Sequence, residues 1–207
     1  MAGLREKQKA DRNQRLLQAA AGLFRSRGYA AVRTEDIAAA AELSVGTLYN
    51  YFATKGDLLM ALVTMEVEEV LALGAGVVAD PPGDVASALD RLVGSYYDHS
   101  LVYLSKALWR TAMALSIEAP ETPFSARYTA LDRSLAGQVT DLVAELQRRG
   151  VARADVPAGP LGAALFGVLN QLFIEFVKDE SQPLERLKAE ASAQNAAIAR
   201  LLAPAAR

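Results

Sequence analysis

Cysteine is absent from the 207 residues, which excludes disulfides, thiolate zinc sites and cysteine nucleophiles. Histidine occurs once, at His99, and a catalytic triad or an imidazole metal site needs partners that the sequence does not supply. No metal or cofactor is therefore expected. Aromatic residues make up only 7% of the chain, and Val and Thr do not gather in alternating runs, so strands have little to be built from. The opening MAGLREKQKADRNQR is charged and has no apolar core of the kind a secretory signal needs, which fits a cytoplasmic protein. One stretch, 156–174, carries no charge and is long enough to span a membrane. It contains Pro157, Gly159, Pro160, Asn170 and Gln171 and runs straight into Glu175, so a helix buried on all sides is the better reading.

Hydrophobic residues reach 52%, with Ala dominant, which favours a substantial helical core. The net charge of −2 conceals an uneven distribution. Residues 1–56 hold nine Lys/Arg and five Asp/Glu, a balance of +4, and the remaining 13 and 19 leave −6. A basic head on an acidic body suggests that the head alone meets a polyanion.

Leu16, Ala19, Ala20, Leu23 and Phe24 share one helix face, which Gly28 closes. Thr34 is read as an N-cap, with Glu35 and Asp36 where a helix N-terminus favours negative charge. Ser44 opens a second short helix and Thr54 a third, leading into Leu58, Leu62 and Met65. Beyond these, Pro and Gly clusters predict helices over 84–103, 105–117, 124–149, 160–179 and 184–202. The fold class is all-α, with about nine helices. Residues 1–56 would form a three-helix domain and 57–207 a second, larger helical domain.

The stretch 34–52 has the arithmetic of a helix-turn-helix: a seven-residue helix, a turn at Ala41-Glu42-Leu43, and a second short helix capped by Ser44. Ile37, Ala38, Leu43, Leu48 and Phe52 would pack inward, leaving Val45, Gly46, Thr47, Tyr49, Asn50 and Tyr51 outside. Such a surface of small, hydroxyl, amide and phenol groups suits a major groove. Tyr49 and Tyr51 lie about 200° apart on a helix, so both cannot enter one core.

The run LLQAAAGLFRSRGYAAVRTEDIAAAAELSVGTLYNYFATKGDLL resembles the N-terminal module of the TetR family of transcriptional repressors. Ala19-Ala20, Leu23-Phe24, Gly28-Tyr29, Thr34, Asp36-Ile37-Ala38, Ser44, Gly46-Thr47-Leu48-Tyr49, Tyr51-Phe52, Lys55 and Leu58-Leu59 carry the likeness. It implies double-stranded operator DNA as a partner and no enzymatic activity. It implies that Thr34 and Lys55 hold phosphates, and that Thr47, Tyr49 and Tyr51 touch backbone and bases. Two positions depart from the pattern. Glu42 stands where Gly is common and would need a positive φ. Val45 stands where Lys is common, which shifts the contact towards a thymine methyl group. The likeness further implies a homodimer that a small molecule releases from DNA by moving the two heads apart, with the fourth helix transmitting the change.

Three further signals have competing readings. Gly74-Ala-Gly76-Val-Val-Ala79 has dinucleotide-fingerprint spacing but follows a helical run, so a helix ending near Gly74 accounts for it. Glu66, Glu68 and Glu69 read as a solvated face. Tyr96, Tyr97, His99, Tyr103, Trp109 and Met113 bunch within eighteen residues, and Phe166, Asn170 and Phe173 could face them from a later helix. Together they form either the wall of a cavity for an apolar or aromatic effector or an ordinary aromatic core. An architectural DNA-binding protein without an effector follows from the second alternative. Finally, 161–176 is apolar nearly all round, and 184–201 has a 3-4 seam. Gly162, Ala164, Leu169, Leu187, Ala191, Ile198 and Leu201 are the expected dimer contacts.

Overall fold

The computed structural model describes residues 2–204, in which every regular element is helical. The order is α1 (Ala2–Arg27), α2 (Thr34–Ala40), α3 (Val45–Tyr49), α4 (Lys55–Ala79), α5 (Val85–His99), α6 (Lys106–Glu118), α7 (Pro123–Arg148), α8 (Ala158–Lys178) and α9 (Leu184–Leu202). The five later helices fall where the Pro and Gly breakers put them, except that α5 stops at His99 and not near 103. There the Ser100 amide closes the last turn on the Tyr96 and Tyr97 carbonyls, and Ser105 caps α6 through the Leu108 amide. At the other end, α1 begins fourteen residues before Leu16.

The chain forms two compact units that are not colinear with the sequence. The first contains residues up to Met65 together with Val102–Tyr128; the second contains Glu66–Leu101 and the residues from Thr129 onward. In the first, Leu16, Ala20 and Phe24 of α1 are buried, as are Ile37 and Ala38 of α2, Leu48 of α3 and Leu58, Leu59 and Leu62 of α4. Leu104, Leu108, Trp109 and Ala112 are also interior. The second unit is centred on Leu89, Leu92, Val139, Leu142, Val143, Leu146 and Leu165, with Phe166 and Ile198 packed at its margin.

Two glycines set how closely helices approach in this second unit. The helix expected to end near Gly74 continues to Ala79. Gly74 is a packing notch: a Cβ there would lie 2.1 Å from Gln138 Oε1 and 2.8 Å from Leu92. The admitted Gln138 side chain donates to the Leu71 carbonyl at 2.7 Å and accepts from the Tyr96 hydroxyl at 2.6 Å, tying α4, α5 and α7 together. Gly162 likewise lets α8 settle on α7, since a Cβ there would stand 2.5 Å from the Thr140 Cα.

That contact changes the assignment of the dimer candidates. Gly162, Leu169, Leu187 and Ala191 are buried within the chain itself, and Ile198 is partly buried against its core. The burial of the first four is spent on their own unit, which leaves them no surface for a second copy, and Ile198 keeps only part of its own. Ala164 and Leu201 are exposed, beside Ala163, Gly167 and Val168 on α8 and Ala189, Ala193 and Ala197 on α9. α8 is long and apolar enough to cross a membrane by length and composition, but Leu165, Leu169, Phe176 and Val177 are buried in the second unit.

Gly162→Ala should lower stability by about 1–3 kcal/mol, because the new methyl meets backbone that cannot yield. A methyl group added at Gly76, inside α4 and exposed, would have nothing within 4 Å, so Gly76→Ala should be neutral or stabilising by up to about 1 kcal/mol. Denaturant unfolding of the two variants gives the comparison.

Candidate nucleic-acid interface

Helices of seven and five residues are too short to persist alone, so their ends must be fixed by specific bonds. Arg33, and not Thr34, occupies the N-cap of α2; Thr34 is the first helical residue. A guanidinium has no acceptor to offer, and the bond instead runs backwards, from the Arg33 amide to the Asp36 carboxylate at 3.3 Å. At the other end the Leu43 amide donates to the Ala38 carbonyl at 2.9 Å and the Glu42 amide to Ala39 at 3.0 Å. This paired closure needs a left-handed residue, and Glu42 provides it with a φ of 55°. Arg15, on α1, braces the turn by donating to the Ala41 carbonyl at 2.5 Å and pairing with the Glu42 carboxylate at 3.2 Å. No local pattern in the sequence announces Arg15, which lies 26 residues from its partner.

Ser44 caps α3 as expected, its hydroxyl accepting from the Thr47 amide at 3.1 Å. Thr54 does the same for α4: its amide donates to Asp57 at 2.8 Å, and its hydroxyl accepts from the Asp57 amide at 3.1 Å. Between the caps, Leu48 is fully buried and anchors α3. Gly46, Tyr49 and Asn50 are exposed, whereas Val45, Thr47 and Tyr51 are half-buried and so is Leu43. The Thr47 hydroxyl lies 2.8 Å from that of Ser44 and is part of the cap. Tyr51 leans against Phe52, with ring centroids 6.4 Å apart.

The Tyr49 hydroxyl lies 3.1 Å from the Thr34 hydroxyl. Two groups fifteen residues apart in sequence thus form one polar spot at the start of α2 and the end of α3, and Tyr49 keeps 49% of its surface exposed. Lys55 has a different environment from the one the resemblance implies. Its ammonium donates to the carbonyls of Tyr29 at 2.8 Å and Val32 at 3.0 Å, and lies 4.4 Å from the Tyr29 ring centroid. It holds the α1–α2 loop in shape, and a phosphate would have to share it with those acceptors.

The nine effector-site candidates divide between the units. Tyr103, Trp109 and Met113 belong to the first; Tyr96, Tyr97, His99, Phe166, Asn170 and Phe173 belong to the second. The Tyr97 ring stacks on Phe173 at 6.1 Å, its hydroxyl donates to the Leu169 carbonyl at 2.8 Å, and burial pushes its pKa well above the ordinary tyrosine value. A cleft of about 200 Å³ lies between α5 and α9 and is lined by Asp90, Val93, Lys188, Ser192 and Asn195, with Tyr97 the one candidate among its walls.

His99 holds a carboxylate at each ring nitrogen: Glu66 at Nδ1, and Glu69 at Nε2 at 2.9 Å. Glu66 is only 2% exposed, so it is no part of a solvated face; Glu68 and Glu69 are exposed. Burial alone would lower the His99 pKa, but the bonds and charges of Glu66 and Glu69 outweigh it and the net shift is upward. The imidazole is thus an ion-pair bridge between α4 and α5.

A capped pair of short helices, with one braced turn and an exposed phenol-bearing face, defines the helix-turn-helix class. Residues 16–62 match the family model described as bacterial regulatory proteins, tetR family. Over those residues the N-terminal module of the chain is similar to the tetR-family module. A 73-residue stretch is 37% identical to the HTH-type transcriptional repressor KstR of Rhodococcus jostii and covers 35% of this chain but only 32% of that protein. Solved structures share the fold over nearly the whole length. A TetR-family transcriptional regulator from Mesorhizobium loti matches with a TM-score of 0.74 at 20% identity, over 94% of this chain and 98% of its own. The FadR repressor of Thermus thermophilus, determined in complex with lauroyl-CoA, matches with a TM-score of 0.60 at 23% identity, over 91% and 93%.

Two outcomes follow from this geometry. Glu42→Gly should change stability by less than about 1 kcal/mol, since the gain at a left-handed position offsets the lost Arg15 pair, whereas Glu42→Val should cost more than about 1 kcal/mol. Thermal unfolding separates them. Because the folded pKa of His99 is raised, its stabilisation is complete below its unfolded value of about 6.5 and disappears as pH rises through the folded value. Wild-type stability should therefore fall across that upper range more steeply than that of His99→Gln; parallel profiles would remove the ion-pair bridge.

Proposed function

We propose that the chain is a homodimeric transcriptional repressor that grips operator DNA with its first 56 residues and releases it when a small apolar or aromatic molecule binds within residues 57–207. It would act in the cytoplasm, where the DNA is. The observation that carries the reading is the outward face of α3: Leu48 anchors the helix while Tyr49 and Asn50 stand free and Thr34 joins Tyr49 at its edge. Hydroxyls in that position donate to phosphate oxygens, and the amide and the exposed backbone at Gly46 reach base edges. Ser44, Val45, Thr47 and Tyr51 would shape the edge of this surface and Lys55 would support the loop before it. KstR is a repressor and the Thermus FadR binds an acyl thioester, which supports both halves of the reading.

Release requires the effector to bind the DNA-incompetent state more tightly than the competent one, because equal affinity shifts nothing. α4, like α7, contributes residues to both units and is one covalent route for that bias. The dimer would form on the exposed small-residue stripes of α8 and α9, where Ala164, Gly167, Ala193 and Ala197 let another helix come close.

On a duplex recovered from a random pool, Tyr49→Ala should weaken binding at least tenfold while leaving the thermal midpoint within the range of surface substitutions, about 0.5 kcal/mol. A variant that melts far lower would place Tyr49 in the core. Ala164→Glu with Ala193→Glu should give monomers by light scattering and lose operator affinity; an intact dimer would move the interface elsewhere.

A further inference from the structure

Asp90, Gly94 and Tyr97 of α5 and Lys188, Ser192 and Asn195 of α9 follow the same four-three spacing, so each set shares one helix face. The two faces border the cleft of about 200 Å³ within the second unit, with Val93 and Ala191 as its apolar wall. Two observations separate this cleft from an ordinary packing gap.

The first is Gly94. Glycine weakens a helix interior, and at Gly74 and Gly162 the neighbours that a Cβ would strike account for it. Gly94 is half-buried inside α5, yet a Cβ there would meet nothing within 4 Å. Its missing side chain admits no neighbour from the chain and leaves room in the cleft.

The second is the balance of donors and acceptors on the walls. Asp90 accepts from the Ser192 hydroxyl at 2.7 Å and from the Asn195 amide nitrogen at 2.8 Å. An ionised carboxylate cannot donate, so this contact fixes which way the Asn195 amide faces. Asn195 is fully buried, and its Oδ1 has no hydrogen-bond partner. The Tyr97 hydroxyl is committed to the Leu169 carbonyl, and the Lys188 ammonium to Asp98 at 2.7 Å. The donors are engaged, whereas no cation among the described residues pairs with Asp90 and Asn195 keeps an unused acceptor. Both conditions are costly in a half-buried place.

We propose that this cleft binds a small organic cation, a primary ammonium bearing a short apolar group. Its nitrogen would lie against Asp90 and donate to Asn195 Oδ1, with the apolar group along Val93, Ala191 and the gap at Gly94. An ammonium supplies both the missing charge and the missing donor, whereas an anion is repelled by Asp90 and an apolar molecule leaves Oδ1 unsatisfied. At about 30 Å³ per water, the cleft has the volume of roughly six or seven waters, which limits the ligand to a short amine. The site makes no use of the head, so the inference goes beyond the operator reading and does not rest on it.

Isothermal titration calorimetry of the full chain with butylammonium, butanol, butyrate and tetramethylammonium, without DNA, is the test. Butylammonium should bind saturably and about tenfold or more tightly than the others, since butanol lacks the charge, butyrate reverses it and tetramethylammonium has no N–H. Gly94→Leu should fill the cleft and abolish the binding, and Asp90→Asn should weaken it by about tenfold or more, with a cooperative thermal transition showing that each variant is folded. The four ligands decide the matter on wild type alone, so a variant that fails to fold does not protect the proposal. No saturable binding of butylammonium to wild type would overturn it and assign the unused oxygen to a buried water. Equal affinity for butylammonium and tetramethylammonium, or unchanged binding in folded Gly94→Leu, would also overturn it, because the cation would then be held elsewhere.

Discussion

The bond from the Leu43 amide to the Ala38 carbonyl closes a turn that only a left-handed residue can complete, and the rest of the N-terminal module depends on that closure. It sets the angle at which α3 leaves α2, and therefore which face of a five-residue helix is turned inward. With the angle fixed, Leu48 reaches the interior and Tyr49 and Asn50 cannot. Glu42 bears the strain of the conformation, and Arg15 offsets part of it by neutralising the Glu42 carboxylate and binding the adjacent carbonyl. The same contact ties α1 to the turn. A single local constraint thus orients the surface that would read DNA.

The second unit is organised by close approach. Gly74 and Gly162 are the two sites where a methyl group would strike a neighbour, and each serves a helix of the same unit. Gln138, admitted by Gly74, uses both ends of its amide to bind α4 and α5, and His99 joins those two helices again through Glu66 and Glu69. Polar groups inside a largely aliphatic unit are costly unless satisfied, and these hold each other in register.

What the sequence made legible was mostly local. Pro and Gly breakers located the later helices, Gly28 closed α1 with a φ of 80°, and the need for positive φ at Glu42 followed from the Gly common at that place in the family the run resembles. Ser44 and Thr54 cap as their side chains suggest. What escaped was decided by neighbours distant in sequence. Thr34 resembles a cap, yet Asp36 reaches back to the Arg33 amide and moves the helix start by one residue. Glu66, in an acidic cluster, is buried because His99 sits opposite. Gly162 does admit another backbone, but that backbone is α7 of the same chain. The early start of α1 had a visible sign in its run of Ala, Glu, Lys, Gln and Arg, all good helix formers, although no apolar periodicity marks it.

The central claim is that the α3 face of each subunit meets one half of a two-fold DNA site. Repeated selection of bound duplexes from a random-sequence pool, followed by sequencing of those enriched, tests it most directly. The account predicts an inverted repeat whose half-sites are centred about one helical turn apart, roughly 34–36 Å, or slightly more. Enrichment of a sequence without two-fold symmetry, or no enrichment over the starting pool, would contradict it.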